Sequence, residues 1–168
     1  PPREIPVTPI RPLDGDRVLV TGAGGFIGHH LTTHLVGAGH WVRGVDLAHP
    51  RYGSTNAHEF QRLDLRSLDA CLQATRDVDV VYALAANMGG IGFIETHKAQ
   101  ITRDNTLIDL HTIEAARRER VQTFLFASSA CVYPGYRQQD LTARALREED
   151  AYPAEAEDGY GWEKLYME

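Results

Sequence analysis

Cysteine is scarce in this sequence: Cys71 and Cys131 are the only two in 168 residues. They form no spaced framework, which excludes a disulfide-stapled scaffold and fits a reducing cytoplasm. Positive charge is in deficit as well. The 17 Lys+Arg against 23 Asp+Glu leave a formal net charge of −6, so the basic face of a general nucleic-acid binder is not expected. No stretch approaches the roughly 18 consecutive apolar residues of a membrane span. The opening "PPREIPVTPIRP" has no apolar signal core. Five of its twelve residues are proline, which predicts an extended arm over residues 1–14 and a folded domain over 15–168. No repeat of solenoid length occurs, and the arm is the one low-complexity block. The hydrophobic share of 43% is enough to give a chain of this length a real core.

From residue 17 onward, strand and helix signals alternate. "RVLVTG" is a β-branched run ending in glycine, and "FIGHHLTTHLVGAG" follows with helical spacing of Phe26, Ile27, Leu31 and Leu35. "HWVRGVD" predicts a second strand ending at Asp46. "EFQRLD" predicts a third, and a short helix is expected near Leu68 to Ala74. "VDVVYALAA" is a strongly apolar fourth strand, a long helix is expected from about Glu95 to Arg118, and "VQTFLFASS" is the fifth strand. Continuous apolar strands separated by helices indicate a parallel sheet covered on both faces, a doubly wound α/β fold of Rossmann type.

The first strand delivers the chain into "TGAGGFIG", with Gly22, Gly25 and Gly28 three apart. A phosphate-binding turn needs glycine where the backbone bends, where it approaches pyrophosphate and where the helix packs on the strand. The helix N-terminus, with Phe26 and Ile27, then offers N–H groups and partial positive charge to the anion. Asp46 closes the second strand 18 residues after Gly28. A carboxylate there accepts bonds from both ribose hydroxyls and repels a 2′-phosphate, so the cofactor reading is NAD rather than NADP. Asp64 ends the third strand, where it could reach the adenine edge or cap the following helix. Leu84, Ala85 and Ala86 end the fourth strand with side chains small enough to leave room for the cofactor.

Downstream, "YGWEK" sets Tyr160 and Lys164 four apart on one helix face. A free tyrosine, with a pKa of about 10, is a poor base; making a phenolate available near neutrality takes roughly 4 kcal/mol of differential interaction. A lysine ammonium and an oxidised nicotinamide supply charge of the required sign. Between the fifth strand and this helix lies "FASSACVYPGY", which sets Ser129 and Cys131 just past a buried strand.

These motifs in this order resemble the extended short-chain dehydrogenase/reductases that modify nucleotide sugars. "ANMGGIGFIETH", "ASSACVYP" and "DAYPAEAEDGYGWEKL" resemble, more narrowly, the branch of that family that inverts carbons 3 and 5 of GDP-mannose. The resemblance covers about residues 15–168. It implies transient oxidation at carbon 4 by Tyr160, Lys164 and NAD, which acidifies the protons on carbons 3 and 5. It implies Cys131 as an acid/base, since a thiol with a pKa of about 8.5 carries protons after modest tuning. Ser129 would hydrogen-bond the reacting oxygen, and Gly89 and Ala130 would contact the GDP-hexose. The bland reading of Cys131 is a small buried hydrophobe, the common fate of free cysteine; Cys71, in "LDACLQA", reads as core.

The chain reaches only "KLYME", inside the helix of Tyr160 and Lys164. The resemblance implies a continuation into a smaller C-terminal substrate lobe, with a second acid/base, a lysine, and most contacts to the GDP moiety. It also implies that residues 1–168 alone do not complete two epimerisations, and that the complete protein is a homodimer. Asn87 stands where the family pattern has aspartate, and Ile91 replaces a methionine. Alternatives stay open. The GDP-fucose synthases also carry the cysteine but finish with NADPH, which Asp46 disfavours. The UDP-hexose 4-epimerases need no such cysteine, and the sugar 4,6-dehydratases carry an Asp-Glu pair where this chain has "ACVY". A non-catalytic NAD sensor often loses the tyrosine or lysine, both kept here. His30 and His34 share a helix face without an evident third ligand, so no metal is expected. "LREED" reads as a solvated loop, Met88 as packing beside the cofactor, and Asn105 as a family asparagine or an exposed helix position.

Overall fold

The computed structural model describes residues 15–89, 91–138 and 145–168. The proline-rich arm expected over residues 1–14 lies outside them. Five parallel strands, β1 (Arg17–Thr21), β2 (Trp41–Asp46), β3 (Glu59–Arg62), β4 (Val80–Ala83) and β5 (Thr123–Phe126), form one sheet in the order β3-β2-β1-β4-β5. Helices α1 (Phe26–Gly37), α2 (Leu68–Thr75), α3 (Ile91–Thr96), α4 (Lys98–Arg118) and α5 (Asp158–Met167) connect or flank the strands, with short 3-10 turns at Ala130–Val132, Gly135–Arg137 and Glu148–Ala151. Strand order reverses between β1 and β4, and in open α/β sheets ligands bind at that reversal, outside the carboxyl ends of the strands. The expected doubly wound fold is observed.

Alternation along β1 explains the two layers. Val18 and Val20 pack with Val42, Val80 and Leu35 on the α1 face. Leu19 points the other way, into a core with Val45, Val81, Cys71, Ala74 and Ala115 from α2 and α4. Cys71 is fully buried, its thiol facing the Leu65 carbonyl at 3.1 Å, and burial pushes that thiol up to about 11. It is a core residue, as expected.

Two sequence expectations are corrected. The long helix does not run unbroken from residue 95: His97 leaves helical geometry (φ −122°, ψ 27°), ending α3 and starting α4. Its ring stacks on Phe93 at 4.4 Å, which secures the joint without any proline or glycine to announce it. Phe26 and Ile27, which open the apolar spacing of α1 and are cofactor candidates, are 61% and 69% exposed. The buried face consists of Gly28, His29, Thr32 and Leu35, because the first turn of α1 faces the groove rather than the sheet. The "LREED" segment is not simply solvated: Asp150 is buried and accepts from Arg137 Nη1 at 2.9 Å and from the Arg147 backbone N–H at 2.9 Å.

Candidate active site

The turn between β1 and α1 is built on close backbone approach. Gly22 has φ +69°, left-handed geometry that L side chains rarely adopt, and its N–H-to-carbonyl turn closes from Gly25 at 3.0 Å. A Cβ at Gly28 would stand 2.2 Å from the Gly22 carbonyl oxygen, so only glycine lets the helix sit this near the strand. Gly25 is the N-cap of α1 and no side chain caps the helix, so the first-turn N–H groups remain available to an anion.

Two adjoining cavities flank this turn at the strand-order reversal. The first, about 340 Å³, is lined by Gly22, Gly25, Asp46, Asp64, Leu84, Ala85 and Ala86 among others. The second, about 410 Å³, is lined by Gly22, Gly25, Phe26, Ile27, Gly28, Leu84, Ala86, Tyr160 and Lys164 among others. The two cavities have Gly22, Gly25, Leu84, Ala86 and Met88 in common, so they form one groove. Every cofactor candidate named from the sequence lines one or both. The glycine turn that lines both cavities and the uncapped helix end beside it fit a dinucleotide.

Asp46 serves the turn as well as the groove. Its Oδ2 accepts from the Gly24 N–H at 3.0 Å and its Oδ1 from the Ala48 N–H at 3.1 Å, locking the loop after β2 against the glycine turn. Asp64 lies beyond the end of β3, and α2 has Ser67, not Asp64, at its N-cap. The capping alternative is therefore corrected. The fork of Arg66 grips Asp64 instead and holds its carboxyl below the usual range. Asn105 is not an exposed helix position: it is fully buried, and its Oδ1 accepts from the Asn87 N–H at 2.6 Å. Asn87 donates from Nδ2 to Asp104 at 3.2 Å. Burial alone would raise the Asp104 carboxyl, but Arg103 and Arg66 hold it below its ordinary value.

On α5, Tyr160 and Lys164 share the second cavity, and the Lys164 ammonium lies 5.9 Å from the Tyr160 ring centroid and 4.6 Å from that of Phe126. Sequence reasoning did not find the acidic partners of that lysine. Lys164 is 3% exposed and donates to Asp109 Oδ2 on α4 at 3.1 Å. Glu163 Oε1 lies 3.6 Å from the same ammonium, beyond hydrogen-bond reach, and both Glu163 oxygens lack a hydrogen-bond partner. Burial, reinforced by Asp109, pushes the Glu163 carboxyl up to about 8.

The turn after β5 lies against α5. Ser129 caps it, its Oγ accepting from the Cys131 N–H at 3.2 Å, and the Cys131 carbonyl accepts from the Glu157 N–H at 2.8 Å. Gly161 permits this contact, since a Cβ there would stand 2.3 Å from the Cys131 carbonyl oxygen. The glycine next to Tyr160 is thus a site residue that the motif contained but sequence reasoning passed over. Ser129 and Ala130 line a further cavity of about 540 Å³ that does not include Cys131, which is half-buried. Gly89 is exposed and belongs to none of these three cavities; its backbone runs against Phe93. His30 and His34 are both exposed, and His30 stacks edge-on against Phe26 at 4.7 Å. Among the described residues, no group of three or more His, Cys, Asp or Glu side chains could hold a metal ion.

A parallel sheet reversing at a glycine turn, with a Tyr-Lys helix closing the groove, defines a nucleotide-cofactor domain of the reductase and epimerase type. The chain belongs to the NAD dependent epimerase/dehydratase family, whose pattern matches residues 18–168. It is 44% identical over 154 residues to GDP-mannose 3,5-epimerase 1 of Oryza sativa subsp. indica, covering 90% of this chain and 40% of that protein. It is 42% identical over 159 residues to GDP-mannose 3,5-epimerase of Arabidopsis thaliana, covering 94% of this chain and 42% of that protein. The chain thus spans about two fifths of the length of these relatives. Among solved structures, a UDP-galactose 4-epimerase superposes with a TM-score of 0.76 at 30% identity, over 90% of this chain and 49% of that one. MoeE5 in complex with UDP-glucose and NAD gives 0.74 at 33% identity, over 91% of this chain and 46% of that one. NAD is the cofactor of the family.

Proposed function

We propose that the protein is an NAD-dependent nucleotide-sugar epimerase acting on GDP-mannose or a closely related GDP-hexose at carbons 3 and 5. The observation that carries this reading is the packing of the Ser129–Cys131 turn on α5, which joins a thiol-bearing loop to the helix of Tyr160 and Lys164. Identities of 42–44% to two GDP-mannose 3,5-epimerases support the substrate class.

NAD, when bound, supplies reversible hydride transfer at carbon 4 of the sugar. The glycine turn and the first turn of α1 would hold its pyrophosphate, Asp46 the adenosine ribose and Asp64 the adenine edge. Tyr160 removes the carbon-4 hydroxyl proton and later returns it, and Ser129 hydrogen-bonds the same oxygen. A carbonyl at carbon 4 makes the protons on carbons 3 and 5 removable, and the Cys131 thiol exchanges them on one face of the ring. Return from the opposite face requires a second acid, which we assign to the length that the relatives have beyond this chain, together with a substrate lobe and most contacts to GDP. Gly89 and Ala130 contact the sugar in this reading.

A homodimer is part of the same reading. Leu110 and Ile113 on α4 and Trp162 and Tyr166 on α5 leave 40%, 41%, 49% and 74% of their surface exposed, an apolar face suited to a second copy. No helix among the described residues is long and apolar enough to cross a membrane. The free thiols Cys71 and Cys131 support a reducing compartment such as the cytoplasm. A second reading, GDP-fucose synthesis, draws on 33% identity over 88 residues to GDP-L-fucose synthase of Escherichia coli. It predicts net oxidation of NADPH, which Asp46 at the ribose end disfavours.

The test uses the complete protein with NAD and GDP-mannose in deuterated water. Deuterium at carbons 3 and 5 without net NADH is the expected result, and Cys131→Ser keeps NAD binding while losing that exchange. Wild-type exchange in the variant returns Cys131 to a packing role. In a parallel assay with NADPH and a 4-keto GDP-hexose, net oxidation of NADPH with reduction of that ketone favours the second reading.

A further inference from the structure

In the first cavity, which Tyr160 does not line, two carboxylates, a guanidinium and the Asn87 amide join three elements. Asp64 sits in the loop between β3 and α2, where its side chain is 44% exposed and would rotate if left alone. Arg66 fixes it with its backbone N–H and Nε to Oδ1, both at 3.0 Å, and with Nε at 3.2 Å and Nη2 at 2.6 Å to Oδ2. The remaining arm, Nη1, reaches across to Asp104 Oδ2 on α4 at 3.2 Å. Asp104 is 3% exposed in its side chain and also receives Asn87 Nδ2, from the loop after β4, at 3.2 Å. Asp64, Arg66, Asn87 and Asp104 all line the cavity.

We propose that Arg66, anchored on Asp104, is the positioning residue that sets the base specificity of this cofactor groove by orienting the Asp64 carboxylate toward the exocyclic amine of adenine. The proposal rests on the NAD reading above and deepens it. A carboxylate offers about four lone-pair directions, and three N–H groups of Arg66 take up most of them, which leaves acceptor capacity on a side chain that lines the cavity. Adenine presents an N–H₂ donor at that edge, whereas hypoxanthine presents a carbonyl oxygen, which a fixed carboxylate repels. An unfixed carboxylate can turn away, so it discriminates less. Lysine cannot replace this arrangement, because a point-charge ammonium cannot grip Asp64 bidentately and still reach Asp104.

A purely structural staple would hold α4 to the sheet without touching base choice, and the two roles separate by measurement. Calorimetry on the complete protein compares NAD with nicotinamide hypoxanthine dinucleotide. Wild type is expected to prefer NAD by roughly tenfold or more, the scale of one hydrogen bond to a charged group. Arg66→Ala is expected to bring the preference close to one, mostly through loss of NAD affinity, and Arg66→Lys fails to restore it. Asp104→Asn, which keeps the shape of the anchor and removes its charge, gives a second variant with reduced preference should the alanine variant not fold. Full wild-type preference in Arg66→Ala or Asp104→Asn overturns the positioning role. Equal binding of both dinucleotides by wild type overturns the proposal while leaving NAD binding intact, and binding of neither removes the NAD reading itself.

Discussion

Glu163 offers the most demanding test of the α4–α5 packing. Its side chain is fully buried, neither oxygen accepts a hydrogen bond, and Lys164 lies 3.6 Å away, already committed to Asp109 at 3.1 Å, so only a protonated Glu163 can bond to that aspartate. Burial therefore raises the carboxyl to about 8 from an ordinary value of 4.5, with Asp109 adding to the shift and Lys164 opposing it. The sign follows from proton linkage. Between these two values the folded state holds a proton that the unfolded state has lost, so stability falls as pH rises through the interval. The contribution is most favourable below about 4.5 and has reached its floor above about 8. The full interval corresponds to about 5 kcal/mol as a ceiling. A charged Glu163 that draws in water or turns toward Lys164 recovers part of this, so about 2 kcal/mol is the working expectation. Glu163→Gln keeps the shape and removes the titration. In urea melts from pH 5 to pH 9, the variant should gain on wild type steadily, from near parity to about 2 kcal/mol, or about 4–8 °C in Tm. A difference that stays flat across this range, or one that favours wild type at high pH, refutes the reasoning.

Asp46→Ala should weaken NAD about tenfold or more while affecting NADP far less, if the carboxylate has its proposed role of accepting from the ribose hydroxyls and repelling a 2′-phosphate. Equal losses in a direct titration of both cofactors would reduce Asp46 to its hydrogen bonds with Gly24 and Ala48. Gly28→Ala places a Cβ 2.2 Å from the Gly22 carbonyl oxygen, so α1 must shift away from β1. The expected cost is about 1–3 kcal/mol of stability together with a measurable loss of NAD affinity; unchanged melting and binding would contradict the close-packing role. Cys131→Ser in deuterated water, described above, addresses the chemistry rather than the fold.

The sheet was legible in the sequence because buried parallel strands write themselves as uninterrupted apolar runs, as in Val18–Val20 and Val80–Val81. The glycine turn was legible because backbone approach leaves no substitute for glycine. Burial within helices was less legible. The core face of α1 is carried by Gly28, His29 and Thr32, small or polar residues that apolar spacing does not register. The exposed Phe26 and Ile27 line the groove, where they are proposed to contact the cofactor. The break at His97 also escaped notice, since stacking on Phe93, four residues earlier, looks like ordinary helical spacing. Asn105 and Asp109 depend on partners distant in sequence: Asn87 holds the first and Lys164 the second.

That distance matters most for Tyr160 and Lys164, the pair proposed to act on the sugar. From the sequence, the whole charge of Lys164 was available to favour a phenolate at Tyr160. In the folded chain Asp109 takes a direct hydrogen bond from the ammonium, so the positive field reaching the cavity is partly cancelled. An ionised Glu163 would add a second carboxylate to the same ammonium and leave the buried group net negative beside the tyrosine, opposing the proton removal assigned to it. With Glu163 neutral, Asp109 and Lys164 balance, and no second carboxylate competes for the ammonium beside Tyr160. The burial that makes Glu163 costly to ionise is therefore the condition under which a lysine paired to an aspartate can still serve the site. The same proton that stabilises the α4–α5 packing keeps the Asp109–Lys164 pair electrically balanced beside the proposed base.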